Sequence, residues 1–87
     1  MMHKVTVYTR PLCSYCFRAL ALLKKKGVEV TEISAAFDRK KREEMLARSN
    51  GMRTYPQIFI GEIHVGGSDE LAALERAGKL DAMLNGQ

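Results

Sequence analysis

The hydrophobic residues of this chain change period along its length, and each change marks an element. Lys4-Val5-Thr6-Val7-Tyr8-Thr9 alternates with period two in β-favouring residues and runs into Arg10-Pro11, which predicts a strand delivering its C-terminal end to a loop. From Cys16 onward Ala19, Leu20 and Leu23 recur at helical spacing, Arg18, Lys24 and Lys25 point elsewhere, and Gly27 supplies a stop. A first helix is therefore expected over Ser14 to Lys26. Val28-Glu29-Val30-Thr31-Glu32-Ile33 predicts a second strand, followed by a connection, Ser34-Ala35-Ala36-Phe37, whose conformation the pattern leaves open. Asp38 can cap a second helix with Met45 and Leu46 facing the core, a heavily charged outer face, and Asn50-Gly51 as its end signal.

Pro56-Gln57-Ile58-Phe59-Ile60, Gly61-Glu62 and Ile63-His64-Val65 read as an antiparallel hairpin with a two-residue turn, the proline occupying the first strand position. After Gly66-Gly67, Ser68 can cap a third helix with Asp69 and Glu70 in its first turn, Leu71 and Leu74 inward, and Gly78 as its stop; Leu80 to Asn85 add a last turn. No repeat or linker interrupts the order βαβαββα. The expectation is an α/β fold in one domain spanning residues 1–87, with a four-stranded mixed sheet flanked by three to four helices.

Composition narrows the function. A chain of 87 residues that is 46% hydrophobic can bury one small core, which excludes a multidomain machine. No apolar run approaches the roughly 20 residues of a membrane span, and Met1-Met2-His3-Lys4 leads straight into the first strand without a signal-peptide core. A cytoplasmic protein with no membrane partner is expected. The formal charge of +4 favours anionic partners. Glu43-Glu44 follow Arg39-Lys40-Lys41-Arg42 at once, so that run reads as a solvated helix face and not as a nucleic-acid site.

Cys13 and Cys16 are the only cysteines, and a bond between them closes so short a loop that it adds little as a structural staple. His3 and His64 could join them around zinc, but they follow no finger spacing and sit at or in expected strands. His64 on a strand reads as a packing or hydrogen-bonding residue, and Tyr8, Phe17, Phe37 and Phe59 read as packing residues. Cys13 stands where the first helix begins. Unpaired N–H groups and the positive end of the helix dipole, helped by Arg10, favour the thiolate there, which makes Cys13 the candidate nucleophile. Cys16, one helical turn later and facing the core, can attack a mixed disulfide on Cys13 and is the candidate resolving thiol.

Cys13-Ser14-Tyr15-Cys16 after the first strand, Thr54-Tyr55-Pro56 before the third, and Gly66-Gly67-Ser68-Asp69 before the third helix together resemble the glutaredoxins. These are glutathione-dependent proteins of thioredoxin-like fold, and Lys41-Arg42-Glu43-Glu44-Met45 and Pro56-Gln57-Ile58-Phe59-Ile60 resemble the small dithiol members of bacteria. The resemblance implies thiol–disulfide exchange. Cys13 would take the glutathionyl group from a glutathionylated substrate and be freed by a second glutathione, and Cys16 would act on protein disulfides.

Glutathione carries two carboxylates and an ammonium, so its site wants a basic group, a helix N-terminus and an acidic side chain. By resemblance Arg10 would meet the glycyl carboxylate, Gly67-Ser68-Asp69 would hold the γ-glutamyl end, and Tyr15 would flank the sulfur. Tyr55 would present its backbone to the cysteinyl unit, Thr54 would join the glutathione site beside it, and Pro56 would be cis as in the family, although X-Pro bonds are cis in only about 5–6% of folded cases. The partners implied are glutathione and glutathionylated or disulfide-containing proteins, met by a monomer. Ser14 stands where the commonest dithiol motif has proline. Without that proline, two subunits could each offer Cys13 and a bound glutathione thiolate to a bridging [2Fe-2S] cluster, as some members of the family do.

Overall fold

The computed structural model describes residues 3–86; Met1, Met2 and Gln87, the ends of the expected domain, lie outside the described residues. The elements follow in the order β1 (Val5–Thr9), α1 (Ser14–Lys25), β2 (Val30–Ser34), α2 (Arg39–Arg48), β3 (Gln57–Ile60), β4 (Ile63–Gly66), α3 (Ser68–Arg76) and α4 (Leu80–Leu84). They build one mixed four-stranded sheet in the order β2-β1-β3-β4. β1 pairs parallel with β2, Val5 opposite Val30 through Thr9 opposite Ser34, and antiparallel with β3, Val5 opposite Ile60 through Tyr8 opposite Gln57. The expected hairpin joins β3 to β4, Ile60 opposite Ile63, with a register irregularity between Ile58 and Phe59.

All five residues of β1 are buried because helices cover both faces of the sheet. Val5, Val7, Ile58 and Ile60 point to one face, where they meet Ala19 and Leu23 of α1, Leu71 of α3, and Leu80 and Leu84 of α4. Tyr8 and Phe59 point to the other, beneath Met45 of α2. Alternation along a strand thus feeds two cores. Lys26, just past α1, bridges Glu75 of α3 at 2.7 Å and Asp81 of α4 at 3.0 Å and ties the three helices of the first face together.

The boundaries that differ from expectation do so for local reasons. β2 begins at Val30, not Val28, because β1 offers pairing partners only from Val5 onward; Val28 is instead buried in the core after the turn at Gly27. β3 begins at Gln57, not Pro56, whose nitrogen has no hydrogen to give a ladder. Ser68 is the first residue of α3 and not its cap. Gly67 takes that position, and the Glu70 carboxylate reaches back to accept the Gly67 N–H at 2.6 Å. Phe17 and Phe37, expected to pack, are 65% and 89% exposed, since each lies on the solvent side of its segment. On α2 Arg39, Lys40 and Lys41 are exposed, as expected of a solvated face, whereas Arg42 is half-buried and donates to the Ala36 carbonyl at 2.8 Å; Arg48, also exposed, donates to the Tyr8 hydroxyl at 3.0 Å with its guanidinium 4.2 Å from the centre of the Phe59 ring.

Candidate active site

Three segments distant in sequence converge beyond the end of β1. The first turns sharply at Leu12, which adopts a left-handed backbone with φ of 54° and is 92% exposed. That turn carries the chain from Pro11 into Cys13, the N-cap of α1. As expected for a residue at a helix start, the Cys13 sulfur accepts a hydrogen bond from the backbone N–H of Cys16, at 3.2 Å. A donor aimed at that sulfur stabilises negative charge on it. The same sulfur faces the carbonyl oxygen of Tyr55 at 4.0 Å, and both cysteines are free thiols.

Cys13 is 1% exposed and Cys16 3%. Burial first, and the hydrogen bond with Cys13 second, push the Cys16 thiol up to about 11, while a backbone bond from Arg10 opposes them. The two sulfurs are therefore unlike: one sits at the helix start with a donor aimed at it, and the other is held as a thiol behind it.

The second segment, Met52 to Pro56, passes over Cys13, and the Tyr55–Pro56 bond is cis, as the resemblance implied. The third is the start of α3. Tyr15, Thr54-Tyr55-Pro56 and Gly67-Ser68-Asp69 line one cleft of about 430 Å³, which brings together seven of the eight residues expected to bind glutathione. The eighth, Arg10, lies on the other side of the cysteines, in a hollow of about 160 Å³ that both thiols, Thr9 and Glu32 also line. There the Thr9 hydroxyl donates to the Glu32 carboxylate at 3.1 Å.

Residues outside the expected set also belong here. Tyr55 divides the cleft from a second hollow of about 250 Å³, lined by Ala36, Arg42, Met45, Leu46 and Arg53, and its buried hydroxyl has no hydrogen-bond partner among the described residues. Arg42 and Arg53 thus bring positive charge beside the cleft. The sequence carried a signal for Arg42, its position four residues before Leu46 on the half-buried side of α2, but the neighbouring charges masked it. Among the described residues no three His, Cys, Asp or Glu side chains are grouped to hold a metal ion, and no helix is long and apolar enough to cross a membrane.

Comparison with known proteins supports what the geometry suggests. The family model described as glutaredoxin matches residues 5–65. The chain belongs to the glutaredoxin family. A glutaredoxin of Pseudomonas aeruginosa is 55% identical over 84 residues, 97% of this chain and 99% of that protein. The solution structure of a glutaredoxin from Brucella melitensis, 55% identical, superimposes with a TM-score of 0.82 over 97% of this chain and 90% of that one. The crystal structure of a buckwheat glutaredoxin–glutathione complex, 30% identical, gives a TM-score of 0.82 over 94% of this chain and 76% of that one. The protein is accordingly a thiol–disulfide oxidoreductase of thioredoxin-like fold, with the four-stranded mixed sheet and four helices described above.

Proposed function

We propose that this glutaredoxin uses glutathione, and that it reduces glutathionylated substrates with Cys13 alone and protein disulfides with Cys13 and Cys16 together. The observation that carries the reading is that the cleft between the cis-proline loop and the N-terminus of α3 opens beside Cys13, whose sulfur caps α1 and faces the Tyr55 carbonyl at 4.0 Å. The Cys13 thiolate attacks the glutathione sulfur of R–S–S–G; the S–S bond breaks, R–S⁻ leaves and takes a proton from solvent, and Cys13 becomes glutathionylated. A second glutathione thiolate attacks that glutathionyl sulfur, releasing glutathione disulfide and the Cys13 thiolate. With a protein disulfide, Cys16 instead displaces the bound protein sulfur and the Cys13–Cys16 disulfide forms, to be reduced by two glutathiones.

The site's charges match the ligand. The N–H of Leu71 is the first in α3 to find an acceptor within the helix, the Gly67 carbonyl at 3.1 Å, so the amides of Ser68 and Asp69 precede the ladder and can meet a carboxylate. The Asp69 side chain beside them is the acid for the ligand ammonium. The cytoplasm, where glutathione keeps thiols reduced, is the compartment this chemistry uses.

The test is turnover of a small glutathione mixed disulfide, coupled to glutathione reductase and NADPH, by wild type, Cys13→Ser and Cys16→Ser. Loss of activity in Cys13→Ser with survival in Cys16→Ser is the expected pattern. An inactive wild type, or one that reduces disulfides as well without glutathione as with it, overturns the reading.

A further inference from the structure

Gln57 is fully buried at the first position of β3, and no step of the exchange uses it. Its amide is nevertheless saturated. The Nε2 group lies 2.9 Å from the carbonyl oxygen of Thr54 and 2.9 Å from the Thr54 hydroxyl, and Oε1 lies 2.7 Å from Nε2 of His64 on β4. The directions of these bonds follow from the groups themselves. A carbonyl oxygen only accepts, so the Gln57 amide must turn its NH2 toward Thr54 and its oxygen toward His64. An oxygen only accepts in turn, so His64 must carry hydrogen on Nε2, and its ring is held by stacking on Phe59 with centroids 4.9 Å apart.

The chain therefore donates one way, His64 to Gln57 to Thr54, and ends at the residue before Tyr55-Pro56. Because the two Gln57 hydrogens go to the carbonyl and hydroxyl of Thr54, the Thr54 hydroxyl is an acceptor toward the protein. Its own hydrogen is left for an acceptor on the other side, and Thr54 is an exposed residue of the cleft wall. We propose that Gln57 and His64 are positioning residues that fix the Thr54 backbone and present its hydroxyl as a hydrogen-bond donor to a carbonyl or carboxylate of glutathione. The inference rests on the glutathione reading above and names the pair of residues that sets one wall of that site.

The test follows formation of the Cys13 mixed disulfide, glutathionyl from one substrate and cysteinyl from the other with 2-mercaptoethanol released in each case, under single-turnover conditions in a chain whose Cys16 is serine, so that the mixed disulfide persists for quantitation. Two substrates are compared, the mixed disulfides of glutathione and of cysteine with 2-mercaptoethanol. Gln57→Glu removes both donors to Thr54 at constant shape; His64→Phe keeps the ring on Phe59 but removes the donor; His64→Gln restores a donor. With the glutathione substrate, Gln57→Glu is expected to raise the half-saturating concentration about three- to tenfold and His64→Phe about two- to threefold, more than the limiting rate falls, and His64→Gln to recover most of the loss. The cysteine substrate is expected to show no such rise. Equal slowing on both substrates, or no change in either variant, overturns the proposal. Should Gln57→Glu not fold, the His64 pair decides. If the parent itself does not prefer the glutathione substrate, the glutathione reading fails first and this inference with it.

Discussion

The backbone N–H of Cys16 points at the Cys13 sulfur from 3.2 Å, while the thiol of Cys16 is buried behind it and raised to about 11. One residue thus assists the proposed nucleophile through its backbone and withholds its own side chain. A thiol attacks only as thiolate, whose fraction grows tenfold per pH unit below the pKa. In protein glutathionylated at Cys13, the rate at which Cys16 expels glutathione is therefore expected to rise about tenfold per unit from pH 6 to pH 9. Release of glutathione, followed by rapid quench, measures it. A plateau near neutral pH would show that Cys16 is not held as a thiol.

Stability should carry the same signature. The Cys16 pKa is raised on folding, so the folded state keeps its proton where the unfolded chain has lost it. This contribution is present below the ordinary thiol value of 9.0 and fades as pH rises toward about 11. The urea midpoint of wild type is expected to fall more steeply than that of Cys16→Ser across this interval.

Gly66 and Glu70 form the hinge between β4 and α3. Gly66 has φ of 116°, and a Cβ there would come within 2.8 Å of the Glu70 carboxylate oxygen that accepts the Gly67 N–H. Gly66→Ala is expected to cost about 1–3 kcal/mol. Glu70→Ala, which removes the acceptor and its charge at the helix start, should cost about 1 kcal/mol, and Glu70→Gln less. Urea unfolding checks all three. An unchanged Gly66→Ala would mean that the strand end relaxes freely.

Leu12 shows the opposite case, a left-handed position occupied by a β-carbon that buries nothing. Leu12→Asn, which tolerates that conformation, is expected to gain up to about 1 kcal/mol of stability. Thermal unfolding measures it, and a loss would mean that the leucine has contacts worth more than its backbone strain.

Tyr8 lies at the sheet face under α2, donating to Glu44 and accepting from Arg48. Burial first and the bond to Glu44 second raise its phenol above the usual range. Glu44 and Arg48 are exposed and keep water when the hydroxyl is gone, so Tyr8→Phe is expected to cost only about 0.5–1.5 kcal/mol by urea unfolding. A larger loss would show that the three groups act as one network.

The fold was legible because each element carries its own period, and the cysteine, proline and glycine motifs fall at the element ends that converge around the cleft. What escaped the sequence was pairing across the sheet. Nothing local marks Val28 as core instead of ladder, since that depends on where β1 begins. Arg42 and Arg48 look like solvated charges until Ala36 and Phe59 are placed beside them. Gln57 reads as one polar residue in an apolar run, and its meaning appears only when Thr54 and His64 close around it. Phe17 and Phe37 deceived in the other direction, because hydrophobicity states a preference for burial and not the space available for it.

Cys13 and Tyr55 stand 42 positions apart in the chain, and the Gly67–Asp69 turn comes later still. No contiguous stretch of the polypeptide holds more than a fragment of the cleft. The cleft exists only once Met52 to Pro56 and the start of α3 have docked beside α1, and full activity is expected only from that assembled state. Turnover is therefore itself a gauge of complete folding, and a variant that keeps its helices but loses its rate has told where assembly stopped.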